Sequence, residues 1–147
     1  MKTSKACLDL IKEFEGLSLV PYLDVAGIPT IGYGTTRYNT GNTVTLKDPP
    51  ITQEQAENEL MKHLESVSKQ MSKYVTTDLK QPQIDALISL TYNIGIGNFS
   101  KSTLLKLLNA GEIDKASKQI LVWNKSRGVV IKGLCRRRAA EQELFLS

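Results

Sequence analysis

The chain contains very little histidine and cysteine, the side chains that most often hold zinc in structural sites. Its 147 residues include one histidine, His63, and two cysteines, Cys7 and Cys135, which are far apart in the sequence. These three residues do not have the ligand spacing of a zinc site, so we expect no metal and no cofactor. Each cysteine lies in a helical pattern and is most simply a small buried hydrophobic residue, with a disulfide between the two as the less favoured alternative.

The sequence also lacks a long uninterrupted hydrophobic run. No stretch approaches the roughly 18 apolar residues that a membrane-spanning helix needs. The first sixteen residues begin with basic side chains, but Asp9, Lys12 and Glu13 interrupt the apolar residues that a secretory signal would require. We therefore expect no stable membrane association, and accumulation in the cytoplasm where the chain is made.

Neither sign of charge is in large excess. The net charge is +4 and the pI is about 9.1, and basic residues are spread through the chain except at Arg136, Arg137 and Arg138. A solvated basic face explains this pattern, and attraction to an anionic polymer such as the cell wall, lipopolysaccharide or nucleic acid is the functional alternative. Nucleic acid is disfavoured because only 6% of residues are aromatic and no recognised binding motif is present.

The pattern of hydrophobic residues predicts an α+β protein. A length of 147 residues suits one core of ordinary size or two small lobes. A first helix is predicted from four apolar residues at helical spacing, namely Cys7, Leu10, Ile11 and Phe14. Gly16 is expected to end this helix. Glycines and a proline divide residues 17–48 into short segments such as TIGYG and TVTL, which indicate a small antiparallel sheet. A long helix is predicted from Thr52, where Thr52 and Gln55 have capping-box spacing, to about Tyr74.

The remainder of the chain is predicted to be helical throughout. Pro82 suits the first position of a helix that Gly95 and Gly97 end. Two further helices are predicted, one stopped by Gly111 and one that runs from Ile113 to Trp123. A last helix is expected to finish the chain.

Glu15 and Asp24 are the two carboxylates that indicate chemistry. Glu15 lies in the last turn of the first helix, at the edge of its apolar stripe and at the negative end of the helix dipole, and both effects disfavour its ionised form. Asp24 lies in a turn-rich segment between Pro21 and Gly27, where solvent and backbone donors favour its ionised form. Two carboxylates in contrasting environments are typical of glycoside hydrolysis. From spacing alone, a surface glutamate and a turn aspartate remain the simpler alternative.

A resemblance to a known family adds to this interpretation. The segment EGLSLVPYLDVAGIPTIGYGTT, the segment NIGIGNFSKSTLLKLLNAG and the C-terminal GLCRRRAAEQELF resemble, in this order, the tailed-phage lysozymes of glycoside hydrolase family 24. The resemblance implies a lysozyme-like fold. This fold has two lobes, a sheet lobe of residues 15–51 and a helical lobe of residues 75–147 together with the N-terminal helix. A helix of residues 52–74 joins the lobes, and the active-site cleft is expected between them.

The resemblance also implies roles for single residues. Glu15 corresponds to the proton donor, Asp24 to the base or charge-stabilising carboxylate, and Thr30 to the hydroxyl that positions the attacking water. The resemblance places three substrate contacts at Tyr92, Asn93 and Ser102. Gly34 is expected to let the backbone approach the substrate closely, with easing of a strand turn as the alternative. For Asn93 and Ser102 helix capping is an alternative.

One arginine and one departure complete the comparison with the family. Arg137 is expected to pair with Glu15, with Arg138 as a second candidate and solvation of all three arginines as the alternative. Thr35 stands where several relatives have a histidine. Any ion pair of that histidine is therefore absent from this chain.

The function that the resemblance implies is hydrolysis of the β-1,4 bond between N-acetylmuramic acid and N-acetylglucosamine in peptidoglycan, for host lysis. We further expect a monomer that binds no nucleic acid. This monomer would be stored in the host cytoplasm and would reach the periplasm and cell wall once a holin, which it does not bind directly, has permeabilised the membrane. Lytic transglycosylation and an inactive wall-binding module are the alternatives.

Overall fold

The computed structural model describes residues 1–147 and contains seven helices and two small antiparallel sheets. The helices are α1 (Lys5–Glu15), α2 (Gln53–Ser72), α3 (Gln81–Ile94), α4 (Ile96–Ser100), α5 (Thr103–Asn109), α6 (Ile113–Ile120) and α7 (Lys132–Leu146). The strands are β1 (Ser18–Leu23), β2 (Pro29–Gly32), β3 (Lys125–Ser126) and β4 (Val129–Val130). This composition confirms the predicted α+β class. No helix is both long enough and apolar enough to cross a membrane.

The chain divides into two compact units. The sheet unit consists of residues Ile11–Leu64, and the helical unit consists of Met1–Leu10 together with Glu65–Ser147. The lobe boundaries given by the sequence, at residues 51 and 74, stay predictions.

The sheet unit is built on the hairpin of β1 and β2. The strands are antiparallel, with Tyr22 opposite Thr30 and Leu23 opposite Pro29. Isolated bridges join Ile31 to Thr35 and Arg37 to Thr43, so the TVTL segment contributes a single bridge and no strand. The fully buried side chains of this unit are Ile11, Ile31, Ala56, Leu60 and Leu64, which come from α1, β2 and α2.

The start of α2 has the geometry that the sequence predicts. Gln55 N donates to Thr52 Oγ1 at 3.1 Å, and Thr52 N donates to Gln55 Oε1 at 2.8 Å. These reciprocal bonds satisfy two amide groups that a helix end otherwise leaves without partners, which confirms the predicted capping box. The helix ends at Ser72, two residues before the predicted end.

The helical unit has its core where α3 packs against α7 and where α5 packs against α6. The fully buried apolar side chains include Leu87, Ile88, Leu90, Phe99, Leu108 and Ile120. Pro82 is the second residue of α3, one position later than predicted. Gly95, with φ of 88°, ends that helix, as predicted. Gly97 lies inside the short helix α4, so its predicted role as a helix end is wrong.

The prediction that the chain is helical throughout after α2 is also wrong. α6 ends at Ile120 and not at Trp123, and the strands β3 and β4 follow as a hairpin. Its two turn residues, Arg127 and Gly128, have φ of 53° and 79°. Two consecutive positive φ values define the tight turn whose twist matches that of paired strands. The sequence signal was the glycine between two short polar and β-branched segments.

The two cysteines are free thiols in the helical unit. Cys7 is fully buried, which confirms its interpretation as a small buried hydrophobic residue, and Cys135 is half-buried. Burial raises the pKa of the Cys7 thiol to about 12.

Candidate active site

Glu15 is the last residue of α1, and the way this helix ends determines where its carboxylate lies. Cys7 and Ile11 are fully buried on one face of the helix, and Gly16, with φ of 68°, ends it by donating its N–H to Lys12 O at 3.0 Å. Glu15 itself is half-buried. Its side chain is thus held at a helix C-terminus beside the apolar face, as the sequence predicts.

Gly34 lies directly against the carboxylate of Glu15. A Cβ atom added to Gly34 would be 2.7 Å from Glu15 Oε2 and 2.9 Å from Glu15 Cδ. The φ of Gly34 is +80°, a conformation that side chains disfavour. Two independent reasons therefore require glycine here. The structure brings the carboxylate of Glu15 to Gly34, and the close approach of a substrate at Gly34 stays a prediction.

Asp24 occupies the turn that connects β1 to β2. Its Oδ1 accepts hydrogen bonds from the backbone N–H groups of Ala26 and Ile28, both at 2.9 Å. Asp24 N also donates to Ile28 O at 3.0 Å, and Asp24 O accepts from Gly27 N at 2.9 Å. The predicted backbone donors are thus present. They fix the carboxylate through one oxygen and leave Oδ2 outside these bonds.

Thr30 lies on β2, directly across the hairpin from Tyr22. Its side chain is almost completely buried, with 3% relative exposure. Thr30 Oγ1 donates its proton to Ile28 O at 2.8 Å. Because the proton has this partner, the lone pairs of Oγ1 are the part of the hydroxyl that is left to bind another group.

Tyr22 is a residue of this region that the sequence analysis missed. Burial raises the pKa of its phenol, and the carboxylates of Glu15 and Asp24 raise it further. The sequence signal was the position of Tyr22 on the strand that leads into Asp24.

The helical unit contains a buried ionic cluster between α7 and α3. Arg137, Arg138 and Glu141 have relative exposures of 3%, 0% and 0%, so the alternative that all three arginines are solvated is wrong. Arg138 Nε lies 2.7 Å from Glu141 Oε1, and Arg137 Nε lies 3.3 Å from Glu141 Oε2. Ser89 Oγ donates to Glu141 Oε2 at 2.6 Å. The predicted pairing of Arg137 with Glu15 stays a prediction.

Burial raises the pKa of Glu141, and the guanidinium groups of Arg138 and Arg137 oppose that rise. Glu141 was not among the predicted site residues. Its position three and four residues after two arginines on a helix was the available signal.

The remaining predicted substrate contacts also lie in the helical unit. Tyr92 is half-buried, and Asn93 is exposed with its Oδ1 accepting from Arg138 Nη2 at 2.9 Å. Ser102 is the N-cap of α5, where its Oγ accepts from Leu105 N at 3.0 Å and donates to Phe99 O at 2.7 Å. Its relative exposure is 6%. The capping alternative for Ser102 is thus confirmed, and its contact with substrate stays a prediction.

Comparison with known proteins identifies the family. A family model described as phage lysozyme matches residues 12–141. The chain therefore belongs to the phage lysozyme family. It is similar to the endolysin of Bacillus phage B103, with 40% identity over 147 residues, which are 100% of this chain and 55% of that protein. The chain thus spans about half the length of that relative.

Solved structures show the same fold. The endolysin from Escherichia coli O157:H7 phage FAHEc1 superposes with a TM-score of 0.91 and 41% identity, covering 100% of this chain and 94% of that one. The muramidase domain of SpmX from Asticaccaulis excentricus superposes with a TM-score of 0.84 and 34% identity, covering 99% of this chain and 98% of that one. These similarities confirm the lysozyme-like fold expected from the sequence.

Proposed function

We propose that this chain hydrolyses the β-1,4 bond between N-acetylmuramic acid and N-acetylglucosamine in peptidoglycan. Membership of the phage lysozyme family and the similarity to a muramidase domain support this substrate. The observation that carries the proposal is the contrast between the surroundings of the two carboxylates. Glu15 is half-buried at the end of a helix, whereas Asp24 is held by two backbone N–H groups.

Each of three side chains has a distinct task in the proposed reaction. Glu15 donates a proton to the glycosidic oxygen as the bond to the leaving sugar breaks. A water molecule attacks the anomeric carbon, and Asp24 accepts its proton through Oδ2, the oxygen outside the two backbone bonds. Thr30 accepts a hydrogen bond from the same water, because its hydroxyl already donates a hydrogen bond to Ile28 O.

A water between Asp24 and the sugar leads to inversion at the anomeric carbon. The carboxyl groups of Glu15 and Asp24 should then be about 6.5–9.5 Å apart, whereas direct attack by a carboxylate requires about 5–5.5 Å. Proton NMR of the products formed in the first minutes distinguishes the two courses. A first product with the configuration of the substrate would contradict inversion.

Residues of the helical unit complete the proposed site. Tyr92 and Asn93 contact the sugars, and Ser102 contributes mainly by capping α5. An arginine of α7, Arg137 or Arg138, pairs with Glu15 and stabilises the carboxylate that remains after Glu15 has donated its proton. Gly34 keeps the space beside the Glu15 carboxylate open, which its close approach to that group supports.

We also infer that the enzyme acts as a monomer and is released from the host cytoplasm by a separate holin. In support of storage in the cytoplasm, Asp9 and Lys12 interrupt the apolar residues of α1, and Cys7 and Ile11 of this helix are buried in the folded chain. Expression of the chain alone should leave cells intact and give a strongly lytic soluble extract. Prompt lysis, with the protein recovered from the membrane, would contradict cytoplasmic storage.

Mass spectrometry of fragments released from purified peptidoglycan tests the proposed reaction. After borohydride reduction, the fragments should end in reduced N-acetylmuramic acid, because water cleaves on that side. Fragments that end in 1,6-anhydro-N-acetylmuramic acid would indicate transglycosylation. Binding to peptidoglycan without release of fragments would indicate an inactive wall-binding module. Either result would overturn the proposal.

A further inference from the structure

The basic residues of the chain are concentrated in one segment of the helical unit. Residues 115–140 contain eight of the nineteen lysines and arginines and none of the fifteen acidic residues. The rest of the chain therefore has a net charge of −4, although the whole chain has +4. Arg137 and Arg138 are buried beside Glu141, and the other six basic residues of the segment are exposed.

The hairpin β3–β4 lies in the middle of this segment and exposes apolar side chains. Val129 and Val130 have relative exposures of 61% and 54%, and Ile131 has 40%. Two consecutive strand residues point to opposite faces, so both faces of this hairpin are accessible. Leu121 and Val122, which shortly precede the hairpin, are also exposed.

Cationic and apolar groups are interleaved on the hairpin itself. Lys125 is directly opposite Val130 in the strand register, so both side chains lie on the same face. Arg127 occupies the turn, and Lys132 follows Ile131. We call the exposed side chains of residues 125–132 the basic hairpin surface.

We propose that the basic hairpin surface binds the face of a lipid bilayer that contains anionic phospholipids. Cations alone would attract any polyanion, including nucleic acid or an anionic wall polymer. Exposed valine and isoleucine side chains stabilise binding only if the partner buries them in an apolar environment. An anionic bilayer provides this environment at the boundary between its headgroups and acyl chains. The contact is reversible and sensitive to salt, and it differs from anchoring in the membrane.

The second exposed apolar region of the molecule provides a contrast. Residues 17–28 of the sheet unit expose Val20 and Val25, with relative exposures of 52% and 97%. No lysine or arginine occurs between residues 16 and 36, and Asp24 is the one charged residue there. This region lacks the cations that attract anionic lipid, so it serves as a control.

Co-sedimentation of the full chain with vesicles tests the proposal. Vesicles of phosphatidylcholine with about one third phosphatidylglycerol should bind the chain at low salt, and vesicles of phosphatidylcholine alone should not. Binding should fall steeply as salt is raised, because the Debye length shortens to about 8 Å at physiological ionic strength. Absence of binding to the anionic vesicles would overturn the proposal.

Two variants with equal net charge locate the surface. K125Q/R127N/K132Q should weaken binding at least about tenfold, since each cation near an anionic surface contributes substantially. Asparagine is chosen at position 127 because it favours the positive φ of this turn. K62Q/K69Q/K73Q removes three exposed lysines of α2 and its C-terminal end, and it should change binding less than about twofold. Equal loss in both variants would overturn the proposal.

A second pair of variants tests for hydrocarbon contact without a change of charge. V129T/V130T should weaken binding several-fold, whereas V20T/V25T should leave it unchanged. Threonine keeps the shape and the strand preference of valine, so the hairpin is retained. If V129T/V130T bound vesicles as well as the wild type, no hydrocarbon contact would exist and the proposal would be wrong. Binding of DNA with the same affinity as vesicles would then identify the surface as a general polyanion site.

Discussion

Arg138 and Glu141 form an ion pair at 2.7 Å in which both side chains are fully buried. They lie one helical turn apart on α7, and Glu141 also accepts a hydrogen bond from the hydroxyl of Ser89 on α3. The pair therefore links the two helices that form the centre of the helical unit. Arg138 in turn donates to the exposed Asn93, so the cluster connects the core to a predicted substrate contact.

Loss of Glu141 should therefore destabilise the fold strongly. Glu141→Ala leaves Arg137 and Arg138 buried without their carboxylate, and removal of one partner of a buried ion pair costs about 3–5 kcal/mol. Chemical denaturation measures the change in the free energy of unfolding. Glu143→Ala is the control, since Glu143 is exposed on the same helix and should change stability by about 0.5 kcal/mol at most. Similar losses in both variants would contradict the importance of the cluster.

Gly34→Ala should reduce both activity and stability. The new Cβ would lie 2.7 Å from Glu15 Oε2, so the carboxylate has to move, and a displacement of about 1 Å at a reacting group lowers kcat/KM by about a hundredfold. Gly41→Ala is a matched control, because Gly41 has φ of +97° but no atom within 4 Å of its added Cβ. It should cost about 1–2 kcal/mol in stability and leave kcat/KM unchanged. Equal effects of both substitutions on kcat/KM would refute the steric argument.

Thr35→Val should stabilise the protein. Thr35 is 1% exposed, and its Oγ1 is buried with no hydrogen-bond partner, although its backbone pairs with Ile31. A buried polar group without a partner costs about 1–3 kcal/mol, and valine has nearly the same shape. We expect a gain of about 1 kcal/mol in the free energy of unfolding. Thr36→Val, at an exposed position, should change it little. A loss for Thr35→Val would mean that the hydroxyl has a partner in solution.

Asp48 should contribute to stability in a manner that depends on pH. The hydroxyl and amide of Thr45 and the phenol of Tyr38 donate to its carboxylate and lower its pKa below 3.8. Its contribution is therefore complete above pH 3.8 and is lost as the pH falls through the lower pKa of the folded state. The difference in Tm between the wild type and Asp48→Asn should shrink across that range.

Asp78→Asn is the control for this pH dependence, because Asp78 is exposed and has none of these donors. Its Tm should follow that of the wild type at every pH. A difference between the wild type and Asp48→Asn that stays constant down to pH 2 would contradict the role of the ionised carboxylate.

The sequence was sufficient for features that depend on local spacing. The apolar stripe of α1, the Thr52–Gln55 capping box and the turn around Asp24 are each determined by residues within a few positions of one another. The hairpin β3–β4 was missed because two-residue strands have no measurable alternation of polar and apolar residues. The contact of Gly34 with Glu15 and that of Glu141 with Ser89 could not be predicted, because these partners are distant in sequence and meet only through tertiary packing.

The rate at which Glu15→Gln releases fragments from purified peptidoglycan tests the central claim most directly. Glutamine keeps the size of the side chain but has no acidic proton, so release should fall at least about a hundredfold while the Tm changes little. Glu13→Gln, an exposed position on the same helix, should retain the wild-type rate. If folded Glu15→Gln released fragments at a near-normal rate, Glu15 would not be the acid, and the proposed mechanism would be wrong.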